Sequence, residues 1–134
     1  MIADFLNLLL SDPEVSALVG DRITPGKLAQ GGDYPAIVVS TAGGISGQTS
    51  AGRSGLVEAR LQVSYYGESH LDAHTVSAAA IDLLDGYRGT SGATQFDSIS
   101  RVGTRDFLDP ALASPGDGLF RIDHDFIVWH HGRG

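Results

Sequence analysis

Three features of the sequence predict a single α+β domain: a mostly antiparallel sheet of about four strands packed by helices, with two long irregular loops. Apolar residues recur at helical spacing at the start of the chain and again after Ser69. Four other segments are rich in β-branched residues or alternate with a period of two. Strands outnumber helices and do not interleave strictly with them, which disfavours a parallel α/β sheet. The 134 residues fit one domain, 1–134. A chain of this length buries about two thirds of the surface its unfolded form exposes, so it needs no disulfide or metal to fold.

Ile2, Phe5, Leu6 and Leu9 give the first ten residues the face of an amphipathic helix. Asp12-Pro13 reads as a second helix start, a carboxylate cap followed by a proline whose missing N–H costs nothing there. Val15, Leu18 and Val19 form its apolar face, and Gly20 is placed to end it. Arg22-Ile23 begins a short strand, halted by Thr24-Pro25-Gly26. Residues 25–34 read as a glycine-rich loop closed by Pro35. Ala36 to Thr41 is a strand by its β-branched content.

Gly43 to Gly55 holds five glycines and four Ser/Thr in thirteen residues and reads as the first long loop. Leu56 to Tyr66 alternates, with Val57, Ala59, Leu61, Val63 and Tyr65 on one face and Glu58, Arg60, Gln62 and Ser64 on the other. That pattern predicts a strand with one buried and one wetted face. Ser69 to Asp72 has the form of a capping box with Asp in place of Glu. Leu71, Val76, Ala80, Ile81, Leu83 and Leu84 carry a helix on to Gly86, and Ala78-Ala79-Ala80 lets it lie close to a sheet. Residues 87–95 read as loop, Phe96 to Val102 as a weaker strand, and Gly103 to Gly118 as the second long loop. The last strand puts Phe120, Ile122, His124, Phe126 and Val128 on one face, with Arg121, Asp123 and Asp125 on a wet one. The tail from His130 to Gly134 is expected to fray.

Composition excludes several kinds of function. There is no cysteine, hence no thiolate nucleophile and no Cys-ligated zinc. Asp and Glu number 16 against 9 Lys and Arg, a net charge of −7 without a basic run. Such a chain is poorly suited to gripping phosphates or an anionic membrane. The N-terminus is apolar but interrupted by Asp4, with no basic start, so the chain is expected to be soluble and untargeted.

No motif in the sequence points to a catalytic site, cofactor or metal centre. Gly43-Gly44-Ile45-Ser46-Gly47-Gln48-Thr49-Ser50 lacks the Gly-Lys-Ser/Thr ending of a phosphate loop and lies between strands rather than before a helix. His70 and His74 share a helix face, but Leu71 stands where a metalloprotease needs Glu. Alternation sends His124 to the face opposite Asp123 and Asp125, so these three form no acid–base unit. Gly52-Arg53-Ser54-Gly55 is one residue too short for a nucleophile elbow. The residues alone lead to an acidic domain with two long loops that either contact a partner or are plain surface.

Asp12-Pro13-Glu14-Val15-Ser16-Ala17-Leu18-Val19-Gly20-Asp21-Arg22-Ile23-Thr24-Pro25 resembles the opening of the tail-completion (tail-terminator) proteins of long-tailed bacteriophages. So do Gln30-Gly31, the strand Pro35 to Ser40, the Gly/Ser loop, Leu61-Gln62-Val63-Ser64-Tyr65-Tyr66, the alanine run to Gly86 and the last strand. Gly26-Lys27-Leu28-Ala29 departs from the family pattern, where Ala-Pro often precedes the Gln. The resemblance implies a non-enzymatic virion protein at the head-proximal end of the tail. There it forms a homo-oligomeric, typically hexameric, ring that ends tail tube polymerisation and joins the head-tail connector. An acidic lumen then lets DNA pass without specific binding, and no membrane is involved. A head-to-tail ring needs two different patches on each chain. Gly43, Gly44, Ser46, Gln48 and Arg53 in the first loop, Arg60, and Arg105 and Asp109 in the second are the candidate contacts. The alternatives are a head-side connector, a small metal enzyme built on His70, His74 and Asp123–Asp125, and a monomeric binding domain.

Overall fold

The computed structural model describes residues 2–26, 34–41, 48–50, 56–109 and 119–131. The order is helix α1 (Ile2–Ser11), helix α2 (Pro13–Val19), strands β1 (Ile23–Pro25), β2 (Ala36–Thr41), β3 (Gln48–Ser50) and β4 (Leu56–Gly67), helix α3 (His70–Leu84), then β5 (Gly89–Ser91), β6 (Thr94–Asp109) and β7 (Leu119–His131). The strands form one sheet in the order β1-β2-β4-β7-β6-β5, with β3 also paired to β4. Every pairing is antiparallel except β1 with β2, so the α+β class holds. The expected strand count was too low: the described residues form seven strands where about four were expected.

The helix starts follow their sequence signals. Asp12 Oδ2 accepts the Val15 N–H at 3.0 Å, and Ser69 Oγ accepts that of Asp72 at 3.1 Å. Each satisfies a donor that the first helical turn leaves without a partner. Arg22 ties α2 to β2, donating from Nε to the Pro35 carbonyl at 2.9 Å and from NH2 to that of Leu18 at 3.4 Å. All three helices cover one face of the sheet. Phe5, Leu9, Val15, Val19, Val76, Ala80 and Leu84 pack there on Ile37, Val39, Leu61, Val63, Tyr65, Phe96, Ile99, Phe126 and Val128. Leu71 was expected to carry the apolar face of α3, but it is 72% exposed, one residue inside the helix start and outside the covered stripe.

A polar clasp fastens α1 to the β5–β6 hairpin. Thr94 donates to Asp4 Oδ2 at 2.6 Å and Ser91 donates to the Asp4 carbonyl at 3.0 Å. Gly92 turns the hairpin at φ +58, and a Cβ there would collide with the Asp4 carboxylate.

Three expected loops are partly strand. Residues 89–91 pair with 94–96, and Gly103 to Asp109 continues β6 against Asp125 to Leu119. Gln48 to Ser50 pairs with Ala59 to Val57. Nor is the tail frayed from His130, since β7 runs through His131. A register shift at Arg101/Gly103 marks a bulge in β6 that leaves Val102 54% exposed.

Candidate assembly surface

The sheet face opposite the helices carries the polar alternates of the long strands. Antiparallel register sets Gln62 across from Asp125, Ser64 from Asp123 and Tyr66 from Arg121. On the other side of β7, Arg105 lies across from Asp123 and Gly103 from Asp125. Directly opposed side chains of complementary charge stabilise such a pair, so the sequence of one strand is legible on its neighbours.

These residues close into one network. Arg121 grips Asp123 with two hydrogen bonds, 2.8 and 2.9 Å, and its guanidinium lies 5.8 Å from the centre of the Tyr66 ring. Gln62 Nε2 donates to Asp123 Oδ2 at 3.2 Å and to Ser64 Oγ at 3.3 Å. The Gln62 Oε1 accepts from Arg105 at 3.3 Å, and Arg105 also donates to Asp125 at 3.0 Å. Asp123 is 1% exposed, although alternation had placed it on a wet face. Its burial is tolerable because a bidentate guanidinium and an amide satisfy both carboxylate oxygens. Val38, Tyr66 and Tyr34 add a small apolar cluster on the same face.

The helix-side face carries a second set of polar groups. His124 Nδ1 and the Tyr65 hydroxyl share a hydrogen bond of 3.0 Å in the core, and burial pushes the Tyr65 phenol up so that it keeps its proton. His124 is thus a core histidine, as alternation implied. Near the end of β7 but on the opposite face, His131 Nδ1 meets Asp97 Oδ2 at 2.6 Å. His130 is 4% exposed and, among the described residues, neither ring nitrogen has a hydrogen-bond partner. Burial holds its pKa below the ordinary histidine value, aided by the N-terminal amine and His131 and opposed by Asp97.

The sequence-derived contact residues scatter. Gly43, Gly44, Ser46 and Arg53 lie outside the described residues. Gln48 is in β3 opposite Ala59, and Asp109 ends β6 opposite Leu119. Arg60, expected to seek a neighbouring subunit, stands 3.9 Å from Glu58 of its own strand, and Arg105 bonds within the chain. Both keep over half of the side chain exposed, 57% and 55%. Buried Asp123 and its half-buried partners Gln62 and Arg121 were missed as a group, because their proximity depends on pairing strands far apart in sequence.

His70 and His74 stack at 6.2 Å on the exposed start of α3, with Phe120 edge-on to His70. Among the described residues, no group of three or more His, Cys, Asp or Glu is placed to hold a metal. Among the same residues, no helix is long and apolar enough to cross a membrane.

The sequence profile of a family described as "Tail completion protein gp17" matches residues 3–131. The chain belongs to that family. This tail completion protein therefore has a virion structural and assembly role. Its fold is similar to a chain in a solved structure titled "Virion of native gene transfer agent (GTA) particle", with a TM-score of 0.63 and 19% identity over 94% of this chain and 90% of that one. No curated protein is similar enough to count as a match.

Proposed function

We propose that this tail completion protein caps the head-proximal end of the phage tail tube as a ring, stops tube polymerisation and offers the surface to which the head-tail connector binds. The observation that carries this reading is the family match across residues 3–131. The sheet supports it, since one face is closed by helices and the other presents a charged, internally braced surface. A braced surface docks with little loss of side-chain freedom. The role is structural rather than catalytic. Arg60 and Arg105 keep enough exposed side chain to reach a neighbour, and Gly43, Gly44, Ser46, Gln48, Arg53 and Asp109 complete the proposed contacts. The net charge of −7 suits a lumen that DNA crosses without adhering.

Native mass spectrometry of the purified protein, alone and bound to tail tubes, tests the ring. A mass of about six subunits is expected for a closed head-to-tail assembly. Particles made without the protein should carry tails of uncontrolled length that fail to join heads. Tails of normal length lacking only heads would instead favour a head-side connector.

A further inference from the structure

Besides the outer edges of the terminal strands β1 and β5, the described sheet has an open stretch on β6 and an open edge on β3, on opposite sides and toward opposite ends. On one side β6 runs to Asp109, while its outer neighbour β5 covers only Thr94 to Phe96. Farther along, the Ile99 carbonyl accepts the Gly86 N–H at 2.8 Å and the Arg101 N–H donates to Asp85 Oδ1 at 3.1 Å. These groups therefore point away from β7. Ile99 and Arg101 oppose Val128 and Phe126, so the even-numbered residues of β7 turn their backbone toward β4. Thr104, Asp106 and Leu108 oppose His124, Ile122 and Phe120, and their backbone groups must likewise face outward. Among the described residues nothing takes them.

On the other side, β3 pairs through Gln48, Thr49 and Ser50 with β4 alone, and no described strand lies beyond it. Its partners Val57 to Ala59 are at the end of β4 that faces His130, whereas the open stretch of β6 faces the start of β7.

An open strand edge invites pairing with another chain, and proteins usually guard it with charge or cover it. The charged residues of this stretch are Arg105, Asp106 and Asp109. Arg105 is drawn onto the sheet face by Asp125 and Gln62, and the bulge leaves Val102 exposed.

We propose that the β6 edge from Gly103 to Asp109 pairs with the β3 edge of a second copy of this chain, so that the sheets run on from subunit to subunit. The inference rests on the ring reading above and names the contact within it. A second copy is the occupant because the two edges are different and lie on opposite sides of one sheet, the requirement for a heterologous contact that repeats and closes. A twofold dimer would match one edge to itself and leave the other open, and so would a strand from a different protein. The offset between the edges staggers each copy along the strand direction, as closure of a sheet into a barrel demands.

The chain has no cysteine, which makes trapping direct. Thr49→Cys and Thr104→Cys are combined in one chain and treated with oxidant or a short bis-thiol reagent. Within a copy β4 and β7 separate the two sites, at least three strand spacings or roughly 14 Å, beyond disulfide reach. Every disulfide thus joins two copies. A covalent ladder ending at the ring size is expected, with native mass spectrometry of the unlinked variant reporting the ring itself. Thr104→Pro, which removes one outward N–H, should lose the ring mass and keep the wild-type circular dichroism, while Thr104→Val keeps both. A ring without a ladder, or a folded Thr104→Pro that still forms rings, overturns the edge pairing and leaves the ring standing. A wild-type protein that stays monomeric at every concentration and on tail tubes overturns both.

Discussion

Asp123 carries a carboxylate at 1% exposure, and its two oxygens are held by Arg121 and Gln62. Asp123→Ala removes the carboxylate that Arg121 grips and should cost about 2 kcal/mol, read by chemical denaturation; the guanidinium is partly solvated, so the full penalty of a buried pair is not reached. Alternation assigned Asp123 to the correct face but not its burial, because Gln62 is 61 residues away and no local pattern records it. His130 shows the opposite imbalance, a buried ring with neither nitrogen bonded among the described residues. Its folded-state pKa lies below the ordinary 6.5, burial being the main cause. As pH falls through that ordinary value the unfolded chain takes up a proton that the folded chain refuses, so stability declines toward acid and is retained above neutrality. His130→Phe removes both the orphan nitrogens and this contribution. It should raise stability by about 1 kcal/mol at neutral pH and by more at pH 5, in thermal melts at the two pH values.

The α1–hairpin clasp makes its own prediction among the elements. Gly92→Ala meets both a positive φ and the Asp4 carboxylate, and should lower stability by about 1–2 kcal/mol. In the Asp4→Ala background the collision is gone and only the φ strain remains, so the double-mutant cycle should show coupling. Elements with strong caps or a clean apolar period were legible: α2 from Asp12-Pro13, α3 from Ser69, β4 and β7 from alternation. Those built by pairing were not. Gly89 to Ser91 and Gln48 to Ser50 are three-residue strands that exist because a longer strand lies beside them. The segment Gly103 to Asp109 reads as irregular because the Val102 bulge breaks the alternation inherited from Ile99. The contact surface was legible only as charge; which arginine meets which aspartate depends on the β4–β7 and β6–β7 registers.

The whole molecule is acidic, and three of its eight arginines are tied within the chain: Arg121 and Arg105 bind carboxylates, and Arg22 binds backbone carbonyls. With 16 Asp and Glu against 9 Lys and Arg, the chain is poorly suited to displacing counterions from a duplex. Mobility-shift titration with linear DNA should therefore show no retention at physiological salt, even at concentrations where rings form; a salt-sensitive shift would contradict the free-passage reading. Chain order has a further consequence. β7 comes last among the strands yet lies in the middle of the sheet, between β4 and β6. Until it arrives, the longest strands have no common partner, and Leu56 must wait for His131, its opposite. Pairings so distant in sequence fold slowly. Until β7 is in place, raw strand surface is thus exposed on both β4 and β6, and completing the sheet and making the subunit competent to assemble become the same event.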